Sequence, residues 1–281
     1  MTERDDELED VLAIARRAAL LVLGVYATPF VVEMKGPGDP VTRADREANA
    51  LICGDLAARF PSAAVLAEES VPDDVAALLA HEQVFFVDPL DGTREFADRN
   101  GEFAVMIGRT TAGRPDLGVV VIPVTGEALV GRVGARKSGF IEDASGRRRP
   151  LHVSGEVDPA AARLMVSRSH RPRIANGVKE RLGLTREIPC GSVGVKVARV
   201  ATGDADLYVH GGGGAKRWDT CAPEAILLAA GGRFTDLDGE LIDYRSAELT
   251  VRTGILASNG LLHGPVLEAI AAVRGEAGRR S

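Results

Sequence analysis

The stretch Asp88-Pro89-Leu90-Asp91-Gly92-Thr93-Arg94-Glu95-Phe96 sets two carboxylates three positions apart, with a proline between them and a glycine just after. Proline stiffens such a segment and glycine lets it turn sharply, so both acids can face one pocket. Carboxylates are hard oxygen ligands, and backbone N–H groups at a helix start suit phosphate oxygens. The segment therefore suits Mg²⁺ and a phosphate held together. An ordinary turn explains the Pro, Asp and Gly equally well. Two more acidic segments favour a site: Glu68-Glu69-Ser70 and Trp218-Asp219-Thr220. Each also has a plain reading. Glu68 and Glu69 fit a solvated loop, Asp219 fits an N-cap or helix-dipole partner, and Asp45, three residues after Thr42, fits a capping box. Gly92 and Thr93 open a short helical turn whose amides can meet a phosphate. The Thr93 hydroxyl can orient a water or simply close the turn. Agreement among four segments is what points to chemistry.

The elements around these residues must bring them together. Leu8, Val11, Leu12, Ala15, Ala19, Val22, Leu23 and Tyr26 recur at helical spacing and predict a first helix ending before Pro29. A Gly/Pro loop follows over Lys35–Pro40, then a helix from Thr42 to Arg59, a strand at 64–67 ending in Glu68, and a helix near 73–81. Residues 84–87 (VFFV) read as a buried strand, with the Asp88–Thr93 turn at its end. Strands follow at 103–109, 117–123 and 128–133. The basic run Gly146–Pro150 reads as a solvated connector, dividing a metal-binding part, 1–147, from a substrate part, 148–281. Beyond it, strands at 163–167, 206–210, 233–236 and 254–257 alternate with helices at 174–182, 193–202, 221–230 and from 265. The expected fold is an antiparallel α+β first half joined to a mixed α/β second half.

With 281 residues the chain can bury a substantial core. Its net charge of −6 argues against a nucleic-acid surface, which needs a basic face. It leaves room for a small phosphorylated substrate, because metals and a few cations reverse the local sign. The start MTERDDELED is acidic and unlike a secretory signal, and no apolar run approaches the ~20 residues of a membrane span. Cys53, Cys190 and Cys221 lack CxxC spacing and suit reduced thiols in a cytoplasm.

Taken in order, Asp45 in VTRAD, Glu68 in LAEES, DPLDGT and WDT resemble the metal-dependent, lithium-sensitive inositol monophosphatase superfamily. Within it the chain is similar to the CysQ-type bisphosphate nucleotidases, through RNGEF (Arg99–Phe103), SRSH (Ser167–His170), GSVGVK (Gly191–Lys196) and KRWDTCAPEAIL (Lys216–Leu227). The resemblance implies a layered α-β-α-β-α sandwich. It implies that Glu68, Asp88 and the Leu90 carbonyl hold one Mg²⁺, that Asp88, Asp91 and Asp219 hold a second, and that a weaker third ion sits beside Glu68. Asp45 and Thr93 would orient the attacking water, and the Gly92 and Thr93 amides would hold the scissile phosphate. His170, Gly194, Lys196, Lys216 and Arg217 match positions near the nucleotide. Loop packing also explains His170, and solvation explains Lys216 and Arg217. The Gly-rich run His210–Gly214 departs from the family pattern. The implied activity is removal of the 3′-phosphate of adenosine 3′,5′-bisphosphate, or of its sulfated form, in sulfur assimilation, by a monomer or homodimer. The alternatives are hydrolysis of inositol monophosphate or fructose 1,6-bisphosphate on the same metal site. A catalytically silent phosphate binder is a third class, and it would not need a Thr93–Asp45 water site.

Overall fold

Strands buried on both faces carry near-continuous apolar runs, and side chains alternate between two cores. The computed structural model, which describes residues 3–168 and 172–278, is built on that alternation. Helices α1 (Glu3–Tyr26) and α2 (Arg43–Arg59) flank a small hairpin of β1 (Glu33–Gly36) and β2 (Asp39–Val41). Then come β3 (Ala64–Ala67), a 3-10 turn at Glu68–Ser70, α3 (Val75–Leu79), β4 (Gln83–Asp91) and α4 (Thr93–Ala97). The meander β5 (Ala104–Thr111), β6 (Arg114–Ile122), β7 (Glu127–Arg132), β8 (Ser138–Glu142) and β9 (Arg148–Pro150) completes a seven-stranded sheet in the order β3 to β9. Only β3 and β4 pair in parallel within it.

The second half contributes β10 (Arg163–Ser167), α5 (Arg173–Leu182), β11 (Arg186–Cys190), α6 (Val193–Ala201), β12 (Leu207–Gly211), α7 (Arg217–Ala229), β13 (Arg233–Thr235), β14 (Gly254–Ser258) and α8 (His263–Gly278). Its five-stranded sheet runs β11-β10-β12-β14-β13, with β10 parallel to both neighbours and the rest antiparallel. Helices α1 and α2 cover one face of the first sheet, α6 and α7 lie between the sheets, and α5 and α8 cover the far face of the second. This is the five-layer α-β-α-β-α arrangement. Phe85 and Val87 point to the α1/α2 core while Val84 and Phe86 point to the middle layer. In the second sheet Tyr208 faces the middle layer, and Leu207 and Val209 face α5 and α8. Each such buried aliphatic or aromatic side chain contributes ~1.5–3 kcal/mol. Among the described residues no helix is long and apolar enough to cross a membrane.

Several elements differ from expectation. The 84–87 strand continues through Asp91, the loop at 35–40 is the β1–β2 hairpin, and α7 begins at Arg217 rather than at 221. The basic connector is strand β9, whose Arg148 bonds Glu9 and Glu142 and lies over the Phe140 ring. The first sheet thus extends three residues past position 147.

One ladder of glycines fixes the middle layer. Gly108 faces Gly118, Gly118 faces Gly131, and Gly131 faces Gly139 across β5 to β8. A Cβ at Gly108 would lie 2.4 Å from Ala222 N, at Gly118 2.3 Å from Ala222 O, and at Gly131 2.4 Å from Ile226 Cα. The backbone of α7 therefore rests directly on the sheet.

His263, at the start of α8, is fully buried between Ser258 (Nδ1, 2.8 Å) and Thr235 (Nε2, 2.9 Å). Burial, and then Arg233 nearby, pull its pKa down from 6.5 to about 4. The unfolded chain binds this proton below 6.5 and the fold does not until about 4, so stability contributed above 6.5 is lost as pH falls between those values. Denaturant unfolding of His263→Gln should show a weaker loss across that window. An unchanged pH slope would remove His263 from the account.

Candidate active site

Strand β4 leaves its regular register between Asp88 and Asp91, where the Leu90 amide turns back onto Asp88 Oδ1 at 2.9 Å. Gly92, at φ 95°, then swings the chain into α4, and a Cβ there would sit 3.0 Å from the Glu102 carbonyl. Glycine is required on both counts. Asp91 Oδ2 is held by the Ser192 hydroxyl and by the Gly194 amide at 2.6 Å, in the first turn of α6. Asp219 stands in the first turn of α7 and accepts the Lys216 amide on Oδ2 at 2.7 Å. Asp219 is thus not the N-cap, which is Lys216; it is the third residue of the helix and closes a capping box with one oxygen, which leaves the other available.

Asp45 divides its work the same way. Its Oδ2 closes the α2 capping box on the Thr42 amide and hydroxyl, both at 2.7 Å, while Oδ1 accepts the Thr93 hydroxyl at 2.9 Å. That hydroxyl also lies 3.1 Å from the Leu90 carbonyl. The capping and site readings of Asp45 are thus compatible.

The acids repel one another. Asp88 is 2% exposed, and its carboxyl is pushed well above the usual range by burial, then by Glu68, Asp91 and Asp219. Asp219 is pushed up by the atoms packed around it, then by Asp91 and Glu68. Burial raises Asp45 against the pull of Thr42 and Thr93. Among the described residues, Asp88 Oδ2, Asp91 Oδ1 and Asp219 Oδ1 accept no hydrogen bond, and none of them is sealed from solvent. Buried like charges with open oxygens suit a hard cation.

As the side chains lie, no trio of Asp, Glu, His or Cys among the described residues closes on one point. Part of the reason is visible. Asp91 Oδ2 is committed to α6, and Glu68 is bonded to Lys35 of β1 at 2.8 Å, with Glu69 at 2.6 Å from the same ammonium.

On the substrate side the structure places the residues less openly than expected. Lys196 is buried, its Nζ bonded to the Gly191 and Cys190 carbonyls and 5.1 Å from the Tyr208 ring centre. Burial pulls its pKa down. The Gly194 amide is spent on Asp91. A Cβ at Gly194 would meet Met106 Sδ at 2.5 Å. Lys216 reaches Thr250 at 2.7 Å, and Arg217, 6% exposed, donates Nε to the Asp243 carbonyl. Residues 243–250 thus strap this pair to the start of α7. His170 lies outside the described residues. Ser192 and Lys35 are the contacts that sequence reasoning missed. Ser192 sits inside the quoted GSVGVK motif, whereas Lys35 carries no local signal.

The inositol monophosphatase family model matches residues 5–275, and the chain belongs to that family. Within it, the chain is 36% identical over 258 residues to the 3′(2′),5′-bisphosphate nucleotidase CysQ of Salmonella typhimurium, covering 88% of this chain and 97% of that protein. It is 28% identical over 283 residues to human 3′(2′),5′-bisphosphate nucleotidase 1, covering 88% of each. Among solved structures, a Thermotoga maritima IMPase superposes with a TM-score of 0.80 at 26% identity, covering 96% of this chain and 99% of that one. CysQ from Bacteroides thetaiotaomicron, a bacterial member of the same family, superposes with a TM-score of 0.76 at 26% identity, over 90% and 97%.

Proposed function

We propose that this chain is a Mg²⁺-dependent phosphatase that removes the 3′-phosphate of adenosine 3′,5′-bisphosphate by activating a water. The observation that carries the reading is the trio of repelling carboxylates on β4 and α7, each with an open oxygen, beside the Asp45–Thr93 pair. An all-oxygen donor set with uncompensated negative charge fits magnesium. Glu68, Asp88 and the Leu90 carbonyl would hold one ion; Asp88, Asp91 and Asp219 would hold a second, with Glu68 also serving a weaker third. Bound there, Mg²⁺ supplies charge to the phosphate oxygens and lowers the pKa of a water. For Glu68 to take part, its bond to Lys35 must give way.

The chain's own residues do the positioning. Donating its hydrogen bond to Asp45, the Thr93 hydroxyl keeps a lone pair for the attacking water; as the water passes a proton to the hydroxyl oxygen, the hydroxyl's own proton can pass to Asp45, braced by Thr42. The Gly92 and Thr93 amides, at the start of α4, meet the scissile phosphate. Ser192 and Gly194 fix Asp91, and Lys196 stiffens the corner that carries them. In-line displacement of this kind needs no covalent intermediate. The nucleotide assignment is supported by the bisphosphate nucleotidases to which the chain is 35–36% identical.

Phosphate release from adenosine 3′,5′-bisphosphate, inositol 1-phosphate and fructose 1,6-bisphosphate, each with Mg²⁺ and with chelator, tests this. The nucleotide should exceed the others in kcat/KM by at least about tenfold, a scale set by polar groups left unpaired with the wrong substrate. Preference for inositol 1-phosphate would overturn the substrate assignment. Full activity in chelator would overturn the metal.

A further inference from the structure

The motifs that carry the nucleotidase likeness stand far apart in the chain, at 99–103, 167–170 and 191–196, yet one carboxylate joins them. Glu102, between α4 and β5, accepts the Gly191 amide at 2.8 Å and Arg168 Nε at 3.0 Å on Oε2, and Arg168 Nη2 at 2.5 Å on Oε1. The Glu102 carbonyl also accepts the Ser192 amide at 3.3 Å. Arg168 is fixed further, its amide on the Cys190 carbonyl and Nη2 on the Pro189 carbonyl, each at 3.2 Å. The guanidinium beside Glu102 holds its carboxyl below the usual range.

The location gives this junction meaning. Arg168 follows the last residue of β10 and Gly191 the last of β11, and these strands are parallel. Ligands of α/β sheets lie at the carboxyl ends of such strands. The same corner runs on into Ser192 and Gly194, which hold Asp91. Glu102 also borders an open cavity of about 500 Å³ that continues past Met165 and Val195 to Arg199 and Asp204 at the far end of α6.

We propose that Glu102 is a positioning residue: through Arg168 and Gly191 it sets the wall against which the non-reacting part of the substrate rests, and so sets selectivity. The inference takes its location from the proposed function but does not depend on which phosphate ester is preferred. A carboxylate can serve a guanidinium fork and an amide together. Glutamine still accepts the amide but turns an NH₂ towards the guanidinium.

The test is steady-state kinetics of Glu102→Gln on the wild type's best substrate and on p-nitrophenyl phosphate, a small ester with no group to reach that wall. KM for the best substrate should rise about tenfold, the scale of one charge-assisted hydrogen bond, with kcat nearly unchanged and the small ester unaffected. Arg168→Gln should give the same split, and the double variant should add nothing, since the pair acts as a unit. An unchanged KM, or an equal fall for both esters, would overturn the proposal, the latter by reducing Glu102 to a structural role. Should Glu102→Gln not fold, Glu102→Asp, which keeps the charge but shortens the reach, carries the same test. If the best substrate proves to be an inositol phosphate, the nucleotide reading falls while the Glu102 test stands.

Discussion

Asp91→Asn is expected to abolish most turnover while leaving the fold as stable as the wild type or more so. The asparagine carbonyl can keep the Ser192 hydroxyl and the Gly194 amide, so its NH₂ points towards the open side, where Asp91 Oδ1 stands in the native chain. A donor there cannot ligate a cation, and the charge that would balance Mg²⁺ is gone. The loss should be at least about 10²–10³-fold in kcat, the range for removing one electrostatic contact to a transition state. The same change relieves repulsion on Asp88 and Asp219, both pushed up partly by Asp91. Without Mg²⁺ the variant should therefore melt at or above the wild-type temperature. Phosphate release and thermal unfolding, measured side by side, check both halves. A folded variant with near-native turnover would take Asp91 out of the site.

Gly118→Ala should be strongly destabilising for so small a substitution. Its methyl would stand 2.3 Å from the Ala222 carbonyl oxygen and 3.0 Å from two more backbone atoms of α7, so no side-chain rotation relieves it. Either the sheet or the helix must move. Overpacking of this sort costs about 1–3 kcal/mol, and more where backbone rather than side chain is struck. Urea unfolding should place the loss at or above about 3 kcal/mol. Gly134→Ala, on an exposed bend with nothing within 4 Å, should stay within about 0.5 kcal/mol. Equal stabilities for the two variants would count against the tight seating of α7. Because α7 carries Asp219, turnover in Gly118→Ala should fall as well.

Long periodic stretches of this fold were legible from the residues alone. The α1 stripe, the α2 span from Thr42 to Arg59 and the apolar strands from β4 to β7 each carry their own period, and the five-layer order is consistent with two sheets buried on both faces. Short edge pieces were not legible. Strand β9 is three residues of Arg-Arg-Pro, polar and exposed, and only its pairing with β8 makes it a strand. Strand β11, with Pro189 and charged residues, exists because β10 offers it a partner. At the site, the acids and Thr93 announce themselves because their chemistry is local to short motifs. The fate of Lys216 and Arg217 does not, since it depends on carbonyl and hydroxyl groups at Asp243 and Thr250, some thirty residues away. Lys196 shows the same limit. Its residue type suggested a phosphate contact, but the turn at Gly191 bends two carbonyls over it.

The glycine ladder also bears on how the protein is made. The first sheet is complete once Pro150 has been synthesised, but the helix that seats on its glycines begins only at Arg217. At ~5–20 residues per second, the intervening stretch takes about 3–13 s to emerge from the ribosome. For that interval the α1/α2 side of the sheet can close over its core, while the opposite face, with Val120 and Leu129, lacks α7, the helix whose backbone rests on its glycines. A nascent chain of this kind presents a flat apolar surface long enough for chaperones to engage it. Because that surface carries no side chains at its centre, it is also a smooth face on which a wrong helix could settle before α7 arrives.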